Sequence, residues 1–251
     1  ERPADEPDPE CLFGDMEVAG WGLMRSKVPN DPERKLRFYL HDGAYHRIPA
    51  LQMLPAGQPE HVAAVYDGQE ARLYVDGKLQ AKEPIAGPVT RSPMPTLIGG
   101  NPNVGALAGI DALWQGTIDE VRFSKVARYT DDFSPKPSFE PDGDTVVLYH
   151  FDEGRGGEAR DASGNNHHGK LLGGEWVEAA TGNLINLAQP PLRDPAAGSA
   201  VAMLGGGSVA IPTLTYQGGP LTLEAWVWHP LPAVNAWIHS PGVINLKPFN
   251  L

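Results

Sequence analysis

The residues with the plainest chemistry are paired carboxylates: Asp15 with Glu17, Asp119 with Glu120, and Asp152 with Glu153. On an extended strand, side chains at i, i+2 or i+4 point the same way, so an acid and a nucleophile at that spacing can flank a glycosidic bond. Asp119-Glu120 and Asp152-Glu153 are adjacent, so on a strand each pair diverges to opposite faces and neither is such a dyad on its own. Asp15 and Glu17 have the right spacing, but no third carboxylate follows two to four residues onward. The expectation is that the chain carries no glycan-cleaving constellation.

Single residues raise further chemistry. In an unbroken strand Asp119 shares a face with Val121 and Phe123. A carboxylate on a core face must be paired, hydrogen-bonded or bound to a metal. Glu120 and Arg122 then fall on the opposite face as a solvent-side ion pair. The loop DASGNNHHG offers Asp161, Ser163 and Asn165, oxygen-bearing residues that suit either a hard cation or an Asx-type turn. His167 and His168 are adjacent, diverge on a strand, and have no cysteine nearby to complete a zinc site. No G-x-S-x-G is present, and Leu204-Gly205-Gly206-Gly207 lacks the Lys-Ser/Thr of a phosphate-binding loop, so it reads as a turn. Six tryptophans (Trp21, Trp114, Trp176, Trp226, Trp228 and Trp237) are either core or platforms on which a sugar ring could stack. Trp228, Trp114 and the loop around Asn101 and Asn103 are the candidate ligand contacts.

The bulk composition narrows the partners. A net charge of −11 leaves no basic footprint for phosphate backbones or anionic lipid, which argues against nucleic acid and membrane surfaces. The single cysteine, Cys11, excludes an intrachain disulfide. No apolar run reaches the ~18 residues a bilayer span needs.

Elements must position these groups, and the patterning is that of strands. In HVAAVYDGQEARLYVDGKL, Val62, Ala64 and Tyr66 alternate with His61, Ala63 and Val65. The alternation resumes after Asp67-Gly68 and turns again at Asp76-Gly77, which predicts a β-meander over 61–79. Further strands are expected at 21–24, 36–40, 96–98, 116–123, 145–151, 169–172, 208–211 and 221–228. Residues 1–10 read as an acidic, proline-rich lead, and 179–199 as a linker. With 29 glycines and 25 prolines between short strands, the fold class expected is an all-β antiparallel β-sandwich or jelly roll.

The motifs together resemble laminin-G-like modules of the concanavalin A-like lectin/glucanase superfamily. Those that carry the likeness are the meander, LIGGNP at 97–102, GTIDEVRFSKVARY at 116–129, LYHFDEGRG at 148–156, DASGNNHHG at 161–169 and LTLEAWVW at 221–228. One departure is Pro59-Glu60, where the family usually has a tryptophan. The order is also unusual, because an EAWV-like strand normally precedes the meander. Two organisations follow. Either 1–178 is a module lacking its first strands and 200–251 opens a second module, or 200–251 is the permuted remainder of the first. The resemblance implies a concanavalin A-like jelly roll and a non-catalytic recognition or adhesion role toward a glycan or protein surface. It also implies a setting in a larger extracellular or cell-envelope protein, tethered to other domains. Structural calcium is implied too, with Asp119, Asp161 and Asn165 as its candidate ligands. A glycoside hydrolase or lyase, or a structural spacer beside a catalytic domain, are the alternatives.

Overall fold

A computed structural model of the chain describes residues 9–103, 109–178, 198–203 and 206–229. Residues 1–8 of the expected lead over 1–10, all but the end of the expected linker, Leu204-Gly205 and Trp237 lie outside the described residues, and Glu10 of that lead opens the first strand. In chain order the first strands are β1 (Glu10–Gly14), β2 (Trp21–Val28), β3 (Asp31–His41), β4 (Tyr45–Pro49), β5 (Pro59–Tyr66) and β6 (Glu70–Val75). Next come β7 (Lys78–Pro84), β8 (Thr96–Ile98), β9 (Asn101–Pro102), β10 (Ile110–Asp111), β11 (Thr117–Ser124) and β12 (Thr145–Tyr149). The last are β13 (Glu158–Ala159), β14 (Gly169–Leu172), β15 (Glu175–Glu178), β16 (Ser199–Ala202), β17 (Ser208–Ile211) and β18 (Leu221–Trp228).

Two large antiparallel sheets, the sandwich expected from the alternation, hold these strands, except β9 and β10, which pair as a separate ribbon. The first runs β13-β14-β17-β8-β1-β2-β3-β4. The second runs β15-β16-β11-β18-β5-β6-β7, and β12 shares an edge of β11 with β16. Between them lies an apolar core in which Trp21 of the first sheet stacks on Phe123 of the second, with ring centroids 5.1 Å apart. Phe13 meets both rings edge-on. The expected meander is β5–β7. Its second turn places Asp76 and Gly77 at φ of 48° and 69°, a left-handed pair that a two-residue hairpin of this twist requires.

The position of β18 is the notable feature of the topology. It lies between β5 and β11 and pairs along its full length with β5, from Leu221↔Tyr66 to Trp228↔Pro59. On its other side it pairs with β11, from Thr117↔Trp228 to Ser124↔Thr222. The sequence LTLEAWVW explains the fit. Leu221, Leu223, Ala225 and Val227 are buried in the core, so Glu224, Trp226 and Trp228 take the outer face. Burying each of the two leucines contributes about 1.5–3 kcal/mol. β16 and β17 join the two sheets as well, at β11 and β8 respectively. Ser199, expected in the linker, opens β16, and its backbone N–H is held by Asp152 at 3.0 Å.

A chain cut by an engineered protease site between Glu178 and Ser199 is therefore expected to keep both fragments in one particle. Size-exclusion chromatography at low denaturant checks this. Two fragments that elute apart, each still folded, would contradict the pairing of β18 with β5 and β11.

Candidate functional site

β11 does not alternate as an unbroken strand would. Its register against β18 runs Asp119↔Trp226 and then Arg122↔Glu224, so three steps on β11 face two on β18. The extra residue is Glu120, at φ 49°. This is a β-bulge, and it re-aims the side chains on either side of it. Ile118, Val121 and Phe123 face the core, while Asp119 faces outward with Trp226. The sequence expectation that Asp119 shares a face with Val121 and Phe123 is thus corrected by one inserted residue.

The expected Glu120–Arg122 surface pair is corrected as well. Glu120 is buried, and its carboxylate accepts hydrogen bonds from the Ser138 hydroxyl (3.0 Å), the Phe139 N–H (2.9 Å) and His150 Nδ1 (2.9 Å). These bonds offset the ~1–2 kcal/mol that a non-glycine residue loses in the left-handed region. Arg122 instead grips Glu224 of β18, with Nε and Nη2 2.8 and 2.7 Å from Oε1. The other oxygen of Glu224 accepts from the Tyr129 hydroxyl at 2.8 Å and lies 3.3 Å from His61 Nε2. Burial pushes the Glu224 carboxyl up, but His61, Arg122 and Tyr129 together hold it below the ordinary glutamate value.

What buries this polar centre is an irregular strap, residues 125–142, which closes on itself and lies across the outer face of the second sheet. Arg128 near its start makes a bidentate pair with Asp142 at its end, at 2.8 and 2.7 Å. Tyr129 and Phe133 stack on each other, and Phe133 meets Tyr74 and His61 edge-on. The strap touches the meander turn at Gly77, whose carbonyl accepts from the Phe133 N–H. A Cβ at Gly77 would stand 2.0 Å from the Phe133 oxygen, so glycine is needed there for the approach as well as for the turn. Further along, the carbonyl of Lys136 accepts from Trp226 Nε1 at 3.0 Å, and Arg122 lies 4.5 Å from the Phe139 ring centre.

Among the described residues, one stretch of the outer face stays open beside the strap. A pocket of about 200 Å³ is lined by Pro59, Thr117, Asp119, Pro137, Ala200, Trp226, Val227 and Trp228. Trp226 and Trp228 are half-buried there. The Asp119 carboxylate accepts the N–H of Glu120 at 2.9 Å. Its pKa rises to about 8, first because burial penalises the charge and then because Glu120 and, more weakly, Asp152 repel it, while the Glu120 N–H and His150 oppose the rise.

Of the residues singled out from sequence, the pocket brings together Asp119 and Trp228. The others stand elsewhere. Trp114 is fully buried, with its ring on His229 at 4.6 Å. Asn101 is buried and braces Met16 through both its N–H and its C=O. Asn103 donates to Asp111 at 2.7 Å. Asp161 accepts the N–H groups of Leu148, Ser163 and His167 and the Ser163 hydroxyl, at 2.8–3.0 Å. Donors aimed at both oxygens organise an Asx-type turn and do not fit a cation at that carboxylate. Asn165 donates its amide to the carbonyls of Thr145 and Val146. Among the described residues no group of three or more His, Cys, Asp or Glu is arranged to hold a metal ion. Asp15 and Glu17 lie in the β1–β2 connection, and Asp15 is buried on the Trp21 N–H at 3.1 Å.

The sequence reading missed Glu224 and Arg122 as a buried pair. In LTLEAWVW a glutamate opposite the leucines reads as solvent-facing, and the cover comes from 125–142, which has no periodicity. The signal available was the density of aromatic residues in that irregular stretch: Tyr129, Phe133 and Phe139.

The raised pKa of Asp119 gives a signed prediction. The unfolded chain releases this proton near the ordinary value of 3.8, while the native state keeps it up to about 8. Between those values stability falls as pH rises. Asp119→Asn does not titrate, so its melting temperature should match the parent at about pH 4 and exceed it by several degrees at about pH 8, at ~2–4 °C per kcal/mol. Thermal scans across that range check it, and a constant difference would contradict it.

Against known proteins, residues 4–132 match the family Laminin_G_3, described as the Concanavalin A-like lectin/glucanases superfamily. No curated protein and no solved structure matches the chain. The matched span is just over half of the 251 residues and includes the strands β1 to β11, with Asp119 and the bulge. Together with the two antiparallel sheets and the meander, it establishes that the chain belongs to the laminin-G-like family of the concanavalin A-like lectin/glucanase superfamily.

Proposed function

We propose that this protein is a non-catalytic recognition module that holds a single sugar ring of a glycan in the Asp119–Trp228 pocket. The observation that carries this reading is the opening left beside the strap. There, two half-buried indoles and one carboxyl converge on a concave space, while the centre of the same face is filled by the protein's own Tyr129, Phe133 and Phe139. Sugar rings present apolar C–H faces to aromatic rings and hydroxyls to carboxyl and hydroxyl groups, and Thr117 and Asp119 supply the latter. The strap leaves no bare groove across the middle of the sheet, which favours a terminal or branching sugar over an extended chain. Family membership supports a recognition role as a module of a larger extracellular or cell-envelope protein. No helix among the described residues is long and apolar enough to cross a membrane. We also read 199–228 as part of the same sandwich as 9–178, because Trp228 reaches the pocket only through the pairing of β18.

A second reading, glycan cleavage, has one observation in its favour. A carboxyl held protonated to about pH 8 is in the state a general acid needs. It also requires a second free carboxylate, and Glu224, two positions along β18 from Trp226, is occupied by Arg122, Tyr129 and His61.

A glycan array followed by calorimetry tests the first reading. Trp228→Ala should weaken the best glycan about tenfold, equal to ~1.4 kcal/mol, and leave the fold intact. Binding that survives this change would place the ligand elsewhere. For the second reading, the expected result is no release of reducing ends from any bound glycan. Turnover abolished by Asp119→Asn would establish catalysis in place of recognition.

A further inference from the structure

We propose that the Asp119–Trp228 pocket selects an amino sugar, with its ammonium group at Asp119 and its ring on the tryptophans. This rests on the reading of the pocket as a glycan site and adds the sign of the charge it accepts.

The lining residues carry the inference. Among the described residues that line the pocket, the one ionisable side chain is Asp119, and none is Lys, Arg or His. The rest of the wall is Thr117, small or apolar side chains and the two indoles. Indole faces carry negative quadrupole density, so they attract a cation and repel an anion. The groups next to Asp119 add to the same field. Glu120 and Asp152 both act on it as like charges. Their own hydrogen bonds fix them in place, Glu120 on Ser138, Phe139 and His150, and Asp152 on the Ser199 N–H. His150, which acts on Asp119 in the opposite sense, is held by Glu120 at 2.9 Å. The indole faces and an ionised Asp119 therefore both favour a cation in the pocket. A sugar acid would meet repulsion from the indole faces and from Asp119 once it ionises, and a neutral sugar would gain no charge pair from that ionisation. Desolvation strengthens the preference, because a charge pair counts for more in a half-buried site than in water. The volume of about 200 Å³ lies below the ~300–1,000 Å³ of sites for drug-sized ligands and suits one ring.

A proton linkage follows from the same geometry. In the empty pocket Asp119 holds its proton up to about pH 8, through burial and the neighbouring Glu120 and Asp152, with His150 opposing. A bound cation takes the place of that proton. Binding near neutral pH should then release a proton, and affinity for a fixed cation should rise with pH and level off above about 8.

Calorimetry with glucosamine, glucose, N-acetylglucosamine and tetramethylammonium tests this on the full chain. At about pH 6.5, where the amine is protonated, glucosamine should bind at least about fivefold more tightly than glucose or N-acetylglucosamine. Asp119→Asn, which should fold and be the more stable at neutral pH, should remove that preference. Tetramethylammonium should bind more weakly than glucosamine, yet gain affinity between about pH 6 and pH 8 in the parent and not in Asp119→Asn. Equal binding of the three sugars would overturn the charge selectivity and leave the glycan reading standing. Tetramethylammonium binding as tightly as glucosamine would overturn the assignment to a sugar. Failure of all four probes would overturn this inference and, if the glycan array is also blank, the glycan reading with it.

Discussion

The structure depends first on the insertion of β18 between β5 and β11. Without it the facing edges of those two strands would not be joined, and each would leave a row of backbone donors and acceptors unpaired inside the sheet. The same insertion sets the chemistry. The strict alternation of LTLEAWVW sends four apolar residues inward, and by the period of two it must send Glu224, Trp226 and Trp228 to the other side. Packing requirements in the core thus place a carboxylate and two indoles together on the outer face.

What each of those side chains becomes is decided by β11 and by the strap. The bulge at Glu120 turns Asp119 outward beside Trp226 and leaves Val121 and Phe123 in the core. It also frees Glu120 to hold Ser138 and Phe139, which fixes the far end of the strap. Glu224 lies under the strap and is neutralised by Arg122, His61 and Tyr129, so its charge serves structure. Asp119 lies at the margin, where burial and the neighbouring Glu120 and Asp152 hold its proton up to about pH 8, and it lines the pocket as an acid. Two carboxylates on neighbouring strands acquire different roles from their surroundings alone.

The fold was largely legible in the sequence. The meander over 61–79, the strand at Thr96–Ile98 and the last strand, Leu221–Trp228, all follow from period-two alternation and Asp-Gly turns, which are local signals. Strands such as Tyr45–Pro49 and Ser199–Ala202 lack that contrast, because Tyr-His-Arg-Ile-Pro alternates poorly and Ser-Ala-Val-Ala is buried throughout. The site was legible only in part. Asp119 and Trp228 are recognisable as a carboxylate and an aromatic in strands, but their proximity depends on a register 109 residues apart in the chain and on a one-residue bulge. A bulge leaves no mark in a pattern of polar and apolar residues beyond an ambiguous face assignment. Trp114, Asn101 and Asn103 have the side chains of ligand contacts, yet long-range packing gives them neighbours within the protein.

The central claim is that the open end of the outer face, and not the loops elsewhere, receives the ligand. Two-dimensional NMR of the indole N–H groups tests it most directly, since buried Trp21 and Trp114 serve as internal references for the pocket residues Trp226 and Trp228. Titration with a bound glycan should shift the Trp228 resonance, and Trp226 to a lesser degree because its Nε1 is held by Lys136, while Trp21 and Trp114 stay in place. Shifts confined to other residues, with Trp228 unmoved at saturation, would contradict the account.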